Sequence, residues 1–313
     1  MDVKQNQIRL VSTGHYAPPK ILTNADLEKI VDTSDEWITT RTGIKERRIA
    51  ENEANSDLAT KAALAAIEKA NYDIKKIDLI IVATFTPDYK SPNVANFVQA
   101  KLGLNDRPIT AFDINAACTG FIYALNVAAQ MLSSGNYQSA LVIGSEKISK
   151  VTDYTDRNTC VLFGDGAGAV ILEPTKNAKP WLFFTASRGD QDLILYVDEY
   201  VHMDGQKVYQ FASKAIDSSI RLLLDFDGMK PQDLAAIIPH QANIRIIQSA
   251  SKSLGLPIDH FFVDLHKYGN TSAASIAIAL DEYLDLYKSE EERTLILVGF
   301  GAGLTWGAAR ITL

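Results

Sequence analysis

Cys118 stands in Asp113-Ile114-Asn115-Ala116-Ala117-Cys118-Thr119-Gly120-Phe121, where a β-like run gives way to a helical one. Residues 109–114 read as a short buried strand, and from 121 to 132 apolar residues recur at helical spacing until Ser133-Ser134-Gly135 stops them. A cysteine that opens a helix meets unpaired backbone N–H groups and the positive end of the helix dipole. Both favour an anion, so the spacing predicts a lowered thiol pKa and a nucleophilic thiolate. The same segment would also suit a buried structural cysteine that packs as a small hydrophobe. Pro239-His240-Gln241-Ala242-Asn243 follows a buried strand and precedes a helix, which puts His240 at a strand end. Such a histidine is either a reacting partner or a satisfied core residue; His15, His202, His260 and His266 lack its combination of strand end and polar loop. Asn270, in Tyr268-Gly269-Asn270-Thr271-Ser272, either serves a site or caps the helix that follows. Taken together, a thiolate and two neutral hydrogen-bond donors, with an imidazole nitrogen also able to accept, suit acyl transfer through a thioester and stabilisation of an enolate.

The elements that must position these groups come twice in the same order. The first half reads as a helix at 56–70, a strand at 79–84, a helix, the strand before Cys118, the Cys118 helix, a strand at 140–144 and a Gly-rich hairpin at 164–172. The second reads as helix 211–225, strand 235–238, helix 244–254, strand 261–265, helix 271–286, strand 294–298 and a hairpin-like stretch at 299–311. Residues 174–204 have weaker periodicity and read as the crossover. The expected fold is α/β, a pseudo-twofold sandwich of helices and mixed sheets with halves at 1–175 and 176–313. Strand ends would converge on one site, with Cys118 facing Asn270 across the pseudo-axis. Gly164-Asp165-Gly166-Ala167-Gly168-Ala169 matches a dinucleotide fingerprint, but residues 169–174 continue as a strand and end in proline, where that motif requires a helix. Cys160 falls in a predicted strand at 159–163 and reads as packing.

At 313 residues the chain holds one or two domains with ample apolar sequence for a large core. A net charge of -7, with no basic patch interleaved with aromatics, excludes a general nucleic-acid binder. No apolar run approaches the roughly 18 residues of a membrane span. The first residues lack the layout of a signal peptide, so a cytoplasmic protein is expected. Two cysteines without CxxC spacing give neither a disulfide framework nor a thiolate zinc site, and no metal is expected.

At these residues the chain resembles β-ketoacyl-[acyl-carrier-protein] synthase III, a member of the thiolase superfamily, over essentially its whole length. The likeness rests on Asp35-Glu36-Trp37-Ile38 with Arg41-Thr42-Gly43-Ile44, on Ala116-Ala117-Cys118-Thr119-Gly120-Phe121 and on Thr155-Asp156-Arg157. It continues through Pro239-His240-Gln241-Ala242-Asn243, Gly269-Asn270-Thr271-Ser272-Ala273-Ala274-Ser275 and the stretch 299–307. The resemblance implies a thiolase-like five-layered αβαβα homodimer that joins an acyl group from acyl-coenzyme A to malonyl-acyl-carrier protein with loss of carbon dioxide, initiating type II fatty-acid synthesis. Coenzyme A enters as part of the substrate and no separate cofactor is implied. Cys118 would take the acyl group, while His240 and Asn270 would hold the malonyl thioester carbonyl. The backbone N–H groups of Cys118 and Ala302 would form the oxyanion hole. Trp37 and Arg157 would clamp the adenine between them, Arg41 would meet the phosphates, Met203, Gln206 and Tyr209 would line the coenzyme side, and Asn243 the pantetheine tunnel. Without the family, Trp37 is a half-buried aromatic and Arg41 a surface charge. Arg245 and Lys252, about two turns apart on the helix after His240, form either a basic spot for the acidic carrier protein or a solvated helix face.

Two departures from the family pattern bear on substrate. The terminal turn carries Ala302 where three consecutive glycines are usual, and Ser91 stands where some members place an aromatic that shortens the partner subunit's acyl pocket. The second predicts a roomier pocket. Two other functions stay open: an acyltransferase or condensing enzyme of a polyketide or other secondary pathway, and a noncatalytic acyl-coenzyme A binding protein.

Overall fold

The computed structural model describes residues 3–289 and 291–313. Strands β1 (Lys4–Asn6) and β2 (Ile8–Tyr16) precede a paired β3 (Lys20–Thr23) and β4 (Glu46–Ile49), which enclose α1 (Asn24–Leu27) and α2 (Asp35–Thr42). The chain continues through α3 (Asn55–Lys69), β5 (Leu79–Ala83), α4 (Val94–Lys101), β6 (Thr110–Ile114), α5 (Gly120–Ser133), β7 (Ala140–Glu146) and β8 (Gly166–Pro174). Then follow β9 (Trp181–Ser187), β10 (Leu195–Val197), β11 (Val201–Met203), α6 (Gly205–Asp225), β12 (Ala236–Pro239), α7 (Ile244–Leu254), α8 (Leu265–Tyr268), α9 (Ala274–Leu286), β13 (Thr294–Gly301) and β14 (Thr305–Thr312).

The duplication read from the sequence is visible in the ladders. One five-stranded sheet runs β2-β8-β7-β5-β6 and the other β1-β9-β14-β13-β12. Strands β9, β14, β13 and β12 therefore repeat β2, β8, β7 and β5. Strand β5 pairs in parallel with both β7 and β6, β12 pairs in parallel with β13, and the remaining pairs of the two sheets are antiparallel. The counterpart of β6 is reduced to one bridge between Ile237 and Phe261, so the strand expected at 261–265 does not form. Its ladder is diverted by a side chain: Gln241 Oε1 accepts the backbone N–H of Asp264 at 3.2 Å and of Leu265 at 3.3 Å, and the chain turns into α8.

Three further expectations are corrected. The supposed crossover contains β9, whose first four residues are all buried, so covering on both faces removed the alternation that betrays a strand. Residues 159–163 are successive turns, with the Cys160 N–H donating to Asp156 O at 3.0 Å, and reach ladder geometry only at Phe163. The glycines at 164–172 do not form a tight hairpin: β7 and β8 pair across the long connection 147–165. Cys160 is buried, as its packing role requires.

Helices α5 and α9 lie between the two sheets, α3 and α4 cover the outer face of the first, and α6, with α7 against it, covers the second. This is a five-layered αβαβα sandwich. Every residue of β5 and β7 is buried, as parallel strands covered on both faces must be. Among the described residues no helix is long and apolar enough to cross a membrane. The layers meet at backbone distance. Gly144 and Gly168 are ladder partners, and a Cβ on Gly144 would fall 2.2 Å from Ala273 O, one on Gly168 2.5 Å from Ala277 Cβ. Gly144→Ala should therefore lower the unfolding free energy by about 1–3 kcal/mol or more, whereas Gly189→Ala, with nothing within 4 Å, should change it by less than about 0.5 kcal/mol. Urea denaturation of the two variants checks the contrast.

Candidate active site

Cys118 does not begin α5 directly. It lies in the 3-10 turn Ala117–Thr119 ahead of it, entered through Ala117 at φ +46°. Asn115 Oδ1 supports the entry by accepting the Ala117 N–H at 3.2 Å. From the other sheet, the end of β13 presses against this turn: a Cβ on Gly301 would lie 2.8 Å from Cys118 N. Thr305 ties the two together. Its hydroxyl lies 3.1 Å from Ala116 O and 3.0 Å from Ala302 O, and the Thr119 hydroxyl donates to Thr305 O at 3.2 Å. Cys118 and Ala302 consequently line the same end of one cavity. Thr119 and Thr305 were not singled out by the sequence reading; their only signal was adjacency to the cysteine and to the terminal turn.

The thiol pKa runs against the sequence expectation. Burial pushes it up to about 12, the Ser272 hydroxyl pulls it back in part, and the Glu146 carboxylate would raise it further. Glu146 is itself fully buried, receives the Thr84 and Thr86 hydroxyls and the Phe85 and Thr86 N–H groups, and is pushed up to about 8. It is therefore largely neutral at pH 7. Desolvation outweighs the helix end because an ion loses its full hydration on burial, while a helix end supplies only a partial charge.

His240 extends β12 by donating its N–H to Val298 O at 2.8 Å, and its ring meets Phe300 edge-on at 5.2 Å. Nδ1 lies 2.7 Å from Ser275 Oγ, which also accepts the Gln241 N–H at 3.4 Å. With the Gln241 N–H on one lone pair, the serine hydroxyl can donate its hydrogen to Nδ1, the arrangement that places the imidazole proton on Nε2. Burial lowers the histidine pKa to about 3, so the ring is a neutral N–H donor. Gln241 acts as a strut: its amide donates to Pro239 O at 2.8 Å and Phe262 O at 3.1 Å while its oxygen holds 264 and 265.

Asn270 does not cap α9, whose N-cap Ala273 has no side-chain partner. Its backbone bridges to Phe163, and its Oδ1 accepts the Ser272 N–H at 2.8 Å. That bond fixes the amide orientation and leaves Nδ2 to the cavity. Cys118, His240 and Asn270 all line this cavity of about 600 Å³, together with Trp37, Arg41, Met203, Gln206, Tyr209, Asn243 and Arg245. Asn243 also caps α7 by accepting the Arg245 N–H at 2.9 Å.

Three residues of the expected set do not reach the cavity wall. Arg157 stacks directly on Trp37, with its guanidinium carbon 4.7 Å from the ring centroid, and lies 3.7 Å from Asp32, so the two side chains expected to clamp an adenine are in contact with each other. Arg41 approaches the same ring at 5.2 Å. Lys252 is solvent-exposed on α7 away from the mouth, and Ser91 is exposed on the loop before α4. Among the described residues no His, Cys, Asp and Glu group with metal-binding geometry occurs.

Ser275→Ala removes the bond that selects the Nε2–H form. Decarboxylation of a malonyl thioester should then fall about tenfold, the worth of one hydrogen bond. In the parent protein the same rate should show no inflection between pH 5 and 8, because a histidine lowered to about 3 stays neutral throughout that range. A step near pH 6.5 would contradict the buried, neutral ring.

Residues 112–189 match the family model of 3-oxoacyl-[acyl-carrier-protein] synthase III, and residues 224–313 that of its C-terminal part. A β-ketoacyl-[acyl-carrier-protein] synthase III from Acholeplasma laidlawii is 55% identical over 98% of this chain and 99% of its own length. The crystal structure of the 3-oxoacyl-[acyl-carrier-protein] synthase III of Aquifex aeolicus shares the fold at TM-score 0.92 and 44% identity, covering 98% of this chain and 99% of that one. The priming β-ketosynthase of the R1128 polyketide pathway does so at TM-score 0.91 and 33% identity, with 99% and 97% covered. Identity at this level along nearly the full length, on the same fold, makes the chain a member of the β-ketoacyl-[acyl-carrier-protein] synthase III family.

Proposed function

We propose that the protein catalyses the decarboxylative condensation of an acyl-coenzyme A primer with malonyl-acyl-carrier protein. The observation that supports it most is the pairing, in one cavity, of the Cys118 thiol with two neutral N–H donors whose orientations are set by Ser275 and by Ser272. The Cys118 thiolate attacks the thioester carbonyl, the new carbon–sulfur bond forms as the bond to coenzyme A breaks, and the coenzyme A thiolate takes up a proton. The Cys118 and Ala302 N–H groups receive the oxyanion. Malonyl thioester then places its carbonyl oxygen against His240 Nε2–H and Asn270 Nδ2–H. The carbon–carboxylate bond breaks, its electron pair becomes the enolate, and carbon dioxide leaves. The enolate carbon attacks the acyl-cysteine, and Cys118 departs as thiolate. No strong base is required, which suits a histidine held neutral.

Trp37 and Arg41 on the cavity wall, with Arg157 stacked on Trp37, suit the adenine and phosphates of coenzyme A. Arg245, at the mouth and exposed, would contact the acidic carrier protein, with Lys252 further along the same helix. A cytoplasmic homodimer belongs to the same reading. Strand β6 is an unpaired sheet edge, and the exposed Ser91 can shape an acyl pocket only across a subunit interface. The likeness to a priming ketosynthase of a polyketide pathway keeps a different acceptor as the second reading.

Intact-protein mass spectrometry after mixing with a series of acyl-coenzyme A thioesters tests the reading. The expected result is an acyl adduct at Cys118, absent in Cys118→Ser, that malonyl-acyl-carrier protein discharges as β-ketoacyl product and carbon dioxide form. An adduct this acceptor leaves untouched would transfer the protein to the second reading, and no adduct would leave a noncatalytic binder. Truncating His240 or Asn270 should slow condensation by on the order of 10² or more. In the chain-length series, branched or longer primers should be accepted; acetyl-coenzyme A as sole efficient primer would refute the role given to Ser91.

A further inference from the structure

Ser272 is fully buried, lines the cavity beside Cys118, and carries a hydroxyl without a hydrogen-bond partner among the described residues. Its neighbour Thr271 also has an unpartnered hydroxyl but does not line the cavity. Ser272 further adopts φ +49°, a region that costs a non-glycine residue about 1–3 kcal/mol. The surroundings hold it there: the Ser272 N–H donates to Asn270 Oδ1 at 2.8 Å, and its carbonyl accepts the Ser275 N–H at 3.1 Å. A glycine at this position would relieve the strain and bury no unmet hydroxyl. An orphaned buried donor costs free energy unless a partner forms during function.

We propose that Ser272 is a catalytic residue whose hydroxyl donates a hydrogen bond to the Cys118 sulfur whenever that sulfur is a thiolate. The bond forms as the thiol ionises, weakens as the sulfur shares its electron pair with the acyl carbon, and returns when condensation expels the thiolate. It answers the obstacle that burial raises at this site. The thiol sits in a cavity that opposes its ionisation, and the Ser272 hydroxyl is the neighbouring side chain that acts in the opposite direction. Hydrogen bonds to an ionised acceptor are the strong ones, about twice a neutral bond. A β-branched residue would be hard to hold at this φ, which leaves serine as a small hydroxyl donor suited to the position.

The inference rests on Cys118 being the nucleophile of the proposed reaction, but its test needs no acyl substrate. Alkylation by iodoacetamide, followed against pH in the full chain and read at the Cys118 peptide, reports the thiolate directly. Ser272→Ala should slow alkylation at pH 7 about tenfold and move its titration upward by roughly one unit. Ser272→Gly, which also lacks the hydroxyl but relaxes the positive φ, should shift it equally. An unchanged profile in either variant would overturn the proposal. So would a shift in the alanine variant that glycine abolishes, since backbone strain would then be the cause. Neither outcome bears on whether Cys118 accepts acyl groups, which the adduct experiment decides separately.

Discussion

Everything at the site depends on two backbone contacts between the halves. The turn that carries Cys118 rests on Gly301 at the end of β13, and the turn that leads into α9 rests on Gly144 within β7. The counterpart of Gly144 in β13 is Gly299, which pairs with Gly307 as Gly144 pairs with Gly168 and whose ideal Cβ lies 3.7 Å from Cys118 O, so the duplicated halves both rest a turn on a glycine of the opposite sheet. A side chain at Gly301 or Gly144 would lift one turn off the opposite sheet by more than the tolerance of a close-packed interior. Gly120, at the start of α5, then meets Ala273 across the pseudo-axis, its ideal Cβ lying 3.5 Å from the alanine Cβ. The turn that carries Cys118 and the turn that leads into α9 thus share one frame with little slack.

That frame explains the electrostatics. Burial in this frame raises the thiol and lowers the imidazole together. A thiolate–imidazolium pair is disfavoured by such shifts, and the site relies on aimed neutral dipoles. His240 presents Nε2–H because Ser275 occupies Nδ1, and Asn270 presents its amide nitrogen because Ser272 occupies its oxygen. Preorganised donors of this kind need no reorganisation when charge develops, and a low local dielectric strengthens each of them. The cost falls on Cys118, whose ionisation burial opposes.

The local sequence determined a good deal. Helix α7 was legible from Ile244 to Leu254 because Asn243 and Gly255 punctuate it and apolar residues fall on one face. Strands β5, β6, β7, β12 and β13 were legible as short apolar runs between turn residues. The order of elements disclosed the duplication, and the types of Cys118, His240 and Asn270 limited the chemistry. These features depend on neighbours within a few positions, which a single chain records. Strand β9 was illegible because two-sided burial erases alternation, and the strand expected at 261–265 failed because a distant side chain, Gln241, took its N–H groups.

Tertiary structure alone decided the rest. It decided that the thiol is raised, since desolvation depends on what packs around the sulfur, whereas the helix-end argument is local. It decided that Asn270 turns its oxygen to Ser272 and does not cap α9, that Arg157 lies on Trp37, and that Ser275, Thr305 and Ser272 support the reacting groups. Those partners lie up to 189 residues apart in sequence, as Thr305 and Ala116 do. Side-chain type and local spacing carry the identity of a reacting group, but its protonation and direction are set by atoms that only folding brings near.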